Sequence, residues 1–484
     1  MELSLPMPDL IAFIPELIMT IAVCLLLLID LFVPKSKKHY LGIVALIGLF
    51  ATLVSVFLLW GQYRSTFSDM FVLDGFALYF KLVFLLAAIL TILISFRYLI
   101  IEEINLGEYY ALLLFATLGM MLMAAGTDLI SIYIALELMA LSVYILAGFI
   151  RRDPKSLEAA LKYFLLGAFT SGIVLYGMAL LYGLTGTTNL KAIADYLTQH
   201  KLLDSPALIL AMILLVAGFS FKIAAVPFHM WVPDVYEGAP TTVTAFMSVG
   251  PKAAGFAALM RIFLVAIVAI QDHWSIIFWV LSALSMTIGN VVAIAQTSLK
   301  RMLAYSSIAH AGYILIGLVA GSQLGYTSML LYFVVYVFMN LGAFAMIILL
   351  CSKTSRGDQI NDFTGLAQIS PYAALAFVIF FLSLAGIPPT AGFVAKLYIF
   401  AAAIKAECIW LAIIGVLNSA VSVYYYFRVV QVMYMKEVSG TIALSASPAL
   451  VTALGIMAVA TILIGLYPGP FIQAALASIA PFLP

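Results

Sequence analysis

The sequence predicts an all-α, polytopic membrane protein that crosses the bilayer about fourteen times, with two inverted five-helix repeats and broken helices in spans 7 and 12. Three observations predict it: a composition unsuited to water, a series of nearly uncharged runs of spanning length, and a faint self-similarity at one offset. Apolar residues fill 65% of the 484 positions and charged residues only 9%. A soluble domain has about 45–50% apolar and about 25% charged residues. The net charge of +1 argues against nucleic acid as a partner. The expected partner is the lipid bilayer.

A spanning helix needs about 20 apolar residues. Such runs lie near 10–33, 41–60, 76–100, 109–126, 129–150, 159–183, 208–228, 241–270, 275–296, 303–320, 325–351, 372–404, 410–434 and 449–467. The first is read as a span and not as a cleaved signal, because Glu2, Asp9 and Glu16 stand where a signal peptide carries basic residues. The run at 372–404 is too long for one straight helix. It contains Gly386-Ile387-Pro388-Pro389, which predicts two half-helices around a break. With the N-terminus outside, inside loops carry Lys35, Lys37, Lys38, Arg151, Arg152, Lys155, Lys353 and Arg356 among others. Outside loops carry only Arg64, Lys191, Lys201 and Lys405. That asymmetry places both termini on the exterior side.

The repeat is read from four matches in order. Tyr144-Ile-Leu-Ala-Gly148 returns as Tyr313-Ile-Leu-Ile-Gly317, and Tyr163-Phe164 with Phe169 as Tyr332-Phe333 with Phe338. Ala217-Gly218 pairs with Ala385-Gly386, and Arg261 with Arg428. The chain divides accordingly into three leading helices (1–108), a first repeat of spans 4–8 (109–270), a second of spans 9–13 (275–434) and a last helix (449–467). Five spans is an odd number, so the second copy is expected upside down, with ion sites near the broken helices. Lys222-Ile-Ala-Ala-Val-Pro227 and Pro388-Pro389 with Lys396 are those interruptions.

Few charges fall inside spans: Lys81, Lys162, Lys222, Lys252, Arg261, Lys396 and one deep acid, Glu137. A charge at the bilayer centre costs about 2.5–3.5 kcal/mol on insertion scales. Glu137 is either an acid satisfied by a neighbouring helix or a proton site, and Lys222 is its expected ion-pair partner. Lysine can lose its proton when buried and arginine cannot, so Lys222, Lys252 and Lys396 are candidate relays. Lys81 and Arg261 read as structural, each within reach of an interface or a carboxylate. Lys162 stands at i,i+4 from Glu158, the spacing of an ordinary helix ion pair. His310, among Ser306, Ser307 and Tyr313, is a secondary relay or a satisfied polar residue. His229 reads as a hinge element at a membrane edge. Cys24, Cys351 and Cys408 are far apart and read as small apolar fillers. The sequence has neither G-x-G-x-x-G nor a Walker A motif, so no nucleotide is expected to bind here.

The stretch from Phe221-Lys-Ile-Ala-Ala-Val-Pro-Phe-His-Met-Trp-Val-Pro to Asp234-Val-Tyr-Glu-Gly-Ala-Pro240 closely resembles the signature of antiporter-like subunits of respiratory complex I. Ser383-Leu-Ala-Gly-Ile-Pro-Pro-Thr-Ala-Gly-Phe-Val-Ala-Lys396 and Tyr305-Ser-Ser-Ile-Ala-His-Ala-Gly-Tyr313 add to the resemblance, which covers nearly the whole chain. Lys396 in the broken span, and the expected lack of a long lateral helix after span 14, set it apart from the M-type and L-type subunits. The resemblance implies a proton-translocating subunit that couples electron transfer from NADH to a quinone to proton pumping. It implies Glu137 and Lys222 as a coupled pair, Lys252 as central relay, Lys396 as outlet, and Lys162 and His310 on the same hydrophilic axis. It also implies that this chain holds no cofactor or metal. NAD, FMN, iron–sulfur clusters and quinone would sit in other subunits of the complex, the partners would include homologous antiporter-like subunits, and the location would be a bacterial inner membrane. A multi-subunit cation/proton antiporter subunit, a membrane hydrogenase subunit, and a scaffold whose buried charges only lock helices remain alternatives.

Overall fold

The computed structural model describes residues 7–34, 37–351, 357–437 and 444–482. Glu2, Lys35, Lys353 and Arg356, which enter the readings of the N-terminus and of orientation, lie outside these residues. The chain opens with α1 (Ile14–Phe32) and α2 (Tyr40–Leu58), followed by an antiparallel hairpin of β1 (Arg64–Thr66) and β2 (Phe71–Leu73) and by α3 (Gly75–Ile101). Next come α4 (Gly107–Ala125), α5 (Leu129–Ala147), the long α6 (Pro154–Thr185) and a short amphipathic α7 (Leu190–Gln199). The helix α8 (Pro206–Ile223) stops abruptly, and α9 (Trp231–Gly238) precedes α10 (Thr241–Arg261). Then follow α11 (Gln271–Ile294), α12 (Leu299–Val319), α13 (Gln323–Leu350) and the single turn α14 (Leu366–Ile369). α15 (Pro371–Ala385) and α16 (Ala391–Lys405) are two half-helices, and α17 (Ile409–Met435), α18 (Pro448–Leu466) and α19 (Gly469–Ser478) finish the chain.

Thirteen helical segments among the described residues are long and apolar enough to cross a membrane, and the run expected as span 12 is split into α15 and α16, 15 residues each. The helices start where the sequence provides caps. Asp74, Asp128, Asp153, Ser298, Ser322 and Ser447 each accept a backbone N–H of the first turn, which satisfies donors that a helix leaves orphaned. Pro154, Pro206, Pro371 and Pro448 occupy first turns, where the missing N–H costs nothing. α13 is the central post, buried from Gly325 to Leu350, while α1, α2 and α6 keep broad apolar faces exposed.

The hairpin, α7, α9 and α19 were not expected as separate elements. α7 had a signal: Leu190, Ile193 and Leu197 share one buried face behind the cap Asn189, which accepts from Lys191 and Ala192.

Two pieces of the bundle match with a shift of 170 positions. An isolated bridge joins Asp128 to Asn189, and another joins Ser298 to Gln359. The first is closed by Leu129 N–H to Thr188 O (2.9 Å) and Leu190 N–H to Thr127 O (3.0 Å), the second by Leu299 to Asp358 (2.7 Å) and Ile360 to Thr297 (3.1 Å). Without a Cβ, Gly119 lets α4 approach the backbone of Met139 and Ala135, and Gly289 lets α11 approach Ala309 and Tyr305 in the same way. Small residues permit such contacts between membrane helices. The first bridge sits beside the β hairpin, where Thr127 donates to Asp69 O. The second sits at the opposite end, where Asp358 lines one cleft with Asp153, Lys300 and Glu102. Within this frame Ala217-Gly218 lies in the body of α8, while Ala385-Gly386 lies at a break. Each of the two helix ends has a left-handed residue, Ala224 (φ 64°) after α8 and Gly386 (φ 82°) after α15.

Candidate functional site

The helix α8 ends because Ala224 adopts a left-handed conformation, φ 64°, at a cost of about 1–2 kcal/mol for a residue with a Cβ. Neighbours satisfy the interrupted backbone: Val226 N–H donates to Ser285 Oγ at 2.9 Å, and Trp231 Nε1 donates to Phe221 O at 3.2 Å. Lys222 sits in the last turn, where the carbonyl end of a helix favours a cation. Its ammonium donates to Tyr144 Oη at 3.3 Å and Ser171 Oγ at 3.5 Å. Glu137 and Tyr144 are two turns apart on one face of α5. The expected Glu137–Lys222 ion pair is not made. Glu137 Oε1 is buried without a hydrogen-bond partner, and Tyr144, given room by Gly167 on α6, takes the ammonium instead. The carboxylate is still near enough for its charge to act on Lys222.

Lys252 follows Pro251, which removes one hydrogen bond from the interior of α10. Gly255, one turn on, packs against Lys222, where a Cβ would lie 3.4 Å from the lysine Cβ. Lys252 Nζ donates to Ser307 O at 2.9 Å and to the Ser307 hydroxyl. On the same helix α12, His310 Nδ1 meets Tyr332 Oη at 2.6 Å and Nε2 meets Tyr426 Oη at 3.4 Å. Tyr426 Oη is also 2.5 Å from Ser306 Oγ. Along α12, His310 lies between Ser307, which holds Lys252, and Tyr313, whose ring is 5.8 Å from the His310 ring and faces Lys396.

Lys396 on α16 reaches back to the broken end of α15. Its ammonium donates to Leu384 O (2.9 Å), Ala385 O (3.0 Å) and Ser419 Oγ (2.9 Å), and lies 4.8 Å from the ring centre of Tyr313. The two carbonyls are those a helix C-terminus leaves unpaired. Lys252 and Lys396 are both buried, and among the described residues their direct partners are hydroxyls, carbonyls and a ring, with no carboxylate.

The family described as "NADH:quinone oxidoreductase/Mrp antiporter, TM" matches residues 125–422. An NADH-quinone oxidoreductase subunit N of Trichlorobacter lovleyi is 54% identical over 422 residues, 87% of each chain. A subunit N of Rhizobium meliloti is 47% identical over 96% of each. The chain belongs to the NADH-quinone oxidoreductase subunit N family. A chain of respiratory complex I from Thermus thermophilus, solved with bound aureothin, has the same fold at TM-score 0.82 and 34% identity, over 96% of this chain and 99% of that one. A chain of an Mrp complex from Dietzia shares the fold at TM-score 0.81 with 22% identity, over 98% and 96% of the two chains.

In this subunit N family member, Lys162 does not join the buried line. It is 41% exposed and bonds Glu158 and Asp234, each at 2.7 Å. Asp234 also accepts from Arg301 (2.9 Å), and Glu237 accepts from Arg301 (2.8 Å) and Lys155 (3.2 Å). These groups line a cleft of ≈170 Å³ and clasp α9, whose Trp231 stacks on Tyr163 at 4.3 Å. Burial pushes the carboxyls of Asp234 and Glu237 up, but the bonds from Lys162, Arg301 and Lys155 outweigh it and hold both below the ordinary value. The clasp therefore persists through the usual carboxylate range and is lost only as pH falls through the lowered values. Sequence reasoning missed both acids, although Asp234 and Glu237 stand at i,i+3 directly after the break. His229 is buried between the break and α9. Arg261 finds a carboxylate, Asp74, and Lys81 finds Glu16.

Gly386 offers a local test. Its φ is 82°, and a Cβ there would lie 2.7 Å from Lys396 Cδ. Gly386→Ala is expected to add about 1–2 kcal/mol of left-handed strain and to displace Lys396. Quinone reductase turnover per assembled complex should fall by up to about tenfold. Gly455→Ala, which faces open space on α18, should leave it unchanged.

Proposed function

We propose that this chain is the proton-translocating membrane subunit of an NADH-quinone oxidoreductase, moving protons while other subunits pass electrons from NADH to a quinone. One observation carries the reading: Lys252 and Lys396 are buried on either side of His310 with neutral partners only. An ammonium without a counter-charge is costly to hold in low dielectric, and lysine escapes that cost by giving its proton up. Glu137 and Lys222 sense each other's charge at the inlet, Lys252 receives the proton, His310 relays it, and Lys396 passes it outward. Lys162 belongs to the mouth, where it steadies α9. NAD, FMN, iron–sulfur clusters and quinone are assigned to other subunits, and the neighbours to other membrane subunits, including homologous antiporter-like ones. Relatives that are subunits N of NADH-quinone oxidoreductases support this assignment. The antiporter alternative rests on a fold shared at 22% identity, whereas the relatives at 54% and 47% are subunits N.

The matching clasps at opposite ends of the bundle support an inverted repeat with its second copy upside down. The basic cluster of Arg151, Arg152, Lys155, Lys300 and Arg301 supports a cytoplasmic location for its end of the bundle. Both termini then face the periplasm across a bacterial inner membrane. Cysteine labels near Lys37 and Arg152 should react only from the cytoplasm, and labels near Lys201 and Lys405 only from outside. One reproducible inversion would undo this topology. The function itself is tested in vesicles containing the purified complex. NADH and a quinone should drive proton uptake that a protonophore collapses, and a sodium gradient without NADH should drive none. Sodium-driven proton movement would favour the antiporter instead.

A further inference from the structure

A second acid–base pair lies far along the chain from the line of lysines. Glu16, in the first turn of α1, and Lys81, on α3, are both fully buried and form an ion pair at 2.8 Å. The sequence reading used Glu16 only as an acid standing where a signal peptide carries basic residues. The pair contrasts with Asp74–Arg261, two turns back on α3. There the guanidinium makes two bonds to the carboxylate (2.8 and 2.7 Å) and one to Ala124 O (3.0 Å) and packs over Phe76, while Asp74 also caps α3 through Ala77 N–H. Every polar atom has work, as a lock requires. Among the described residues, Glu16 and Lys81 have only each other as charged partners, in a geometry that leaves both carboxylate oxygens and the ammonium without a well-directed hydrogen bond. A buried ion pair so poorly satisfied is a weak source of stability, since apolar side chains of similar size usually do as well.

Among the described residues, the elements packed around the pair bring few other charges, and the hairpin turn carries Asp69, which accepts from Ser65. α2, α13, α18 and α19 carry no charged residue, α4 carries only Glu108 at its far end, and α10 contributes Lys252 and Arg261. Asp9 and Arg64 pair with each other nearer the surface, at 2.9 Å. Above the pair lie three rings. Phe13, one turn before Glu16, meets Phe71 at 5.2 Å and Phe67 at 5.3 Å, both edge-on, and Phe71 lies 5.1 Å from the Lys81 ammonium. Phe67 and Phe71 belong to the β hairpin, whose turn runs through left-handed conformations at Phe67, Ser68 and Asp69, and Phe67 is 40% exposed.

We propose that Glu16 and Lys81 form a further proton-exchange site at the hairpin end of the bundle, with the Phe13–Phe67–Phe71 cluster as its removable roof. The step balances without a co-reactant. The Lys81 ammonium passes a proton to the Glu16 carboxylate, leaving a neutral amine and a neutral acid. Glu16 then releases that proton to water when the roof lifts, and the amine takes another from the interior. The proposal rests on the reading that this chain moves protons, so its first test is one that does not need pumping. In the purified complex, infrared difference spectra across neutral pH should show a protonated-carboxyl C=O band that Glu16→Gln removes. Phe71→Ala should speed the deuterium shift of that band. In vesicles with equal assembled complex, Glu16→Gln/Lys81→Met should lose turnover-linked proton release while retaining NADH oxidation. A native complex with no titrating band assignable to Glu16, or a neutral double variant that releases protons normally, overturns the proposal and makes the pair a tie between α1 and α3. If Lys252→Met also pumps normally, the reading of the chain itself fails, and that outcome is separate.

Discussion

Lys252→Met is expected to lower proton uptake through this chain by roughly a hundredfold, in the range that losing a positioned proton-transfer group produces. Methionine has a similar length and volume, so the packing of α10 against Lys222 through Gly255 should survive. What disappears is the amine that Ser307 holds. The two hydrogen bonds lost to Ser307 cost about 1–3 kcal/mol for each group left unpaired, and assembly is expected to tolerate this. Lys252→Arg should do nearly as much damage for the opposite reason, because arginine keeps its proton. A structural lysine would behave differently: arginine, which retains the charge and the donors, would then rescue. Proton uptake and assembled complex are measured together, so that a misfolded variant is not mistaken for a blocked one.

Glu137→Gln is expected to produce a comparable loss, and the geometry sharpens how it should look. A direct buried ion pair broken from one side typically costs about 3–5 kcal/mol. Here Lys222 bonds Tyr144 and not the carboxylate, which has an unpartnered buried oxygen. The stability cost of Glu137→Gln should therefore be small and the loss of pumping large. Lys222→Ala should match it. The double variant Glu137→Gln/Lys222→Ala should be no worse than either single one, because residues that act as a unit are not additive. A scaffold role predicts misassembly in the single variants, with assembly and turnover recovered in the neutral double. Thermal stability and proton uptake on the same preparations separate the two readings.

Most of this fold was legible because bilayer solvation writes itself into composition. Runs of spanning length located the crossings, and Pro388-Pro389 located the broken one. The short elements were less visible, since α9 and the hairpin are fixed by partners distant in sequence: Arg301 reaches Asp234, and Phe13 packs on Phe71. The lysines of the buried line were legible as charges in apolar surroundings, where nothing else accounts for them. The absent Glu137–Lys222 contact was not, because hydropathy says that two charges lie in a span and nothing of which hydroxyls the ammonium bonds. Glu16 was missed for a related reason. It served only as an acid where a signal peptide carries basic residues, and only tertiary packing shows that Lys81 reaches it.

The measurement that reaches the central claim most directly is the number of protons taken up per NADH oxidised in vesicles, for native and Lys252→Arg complex at equal assembly. A lower ratio or a stalled turnover in the arginine variant is the expected result. A native ratio at native turnover would mean that the proton does not pass through Lys252, and the line of buried lysines would not be a path.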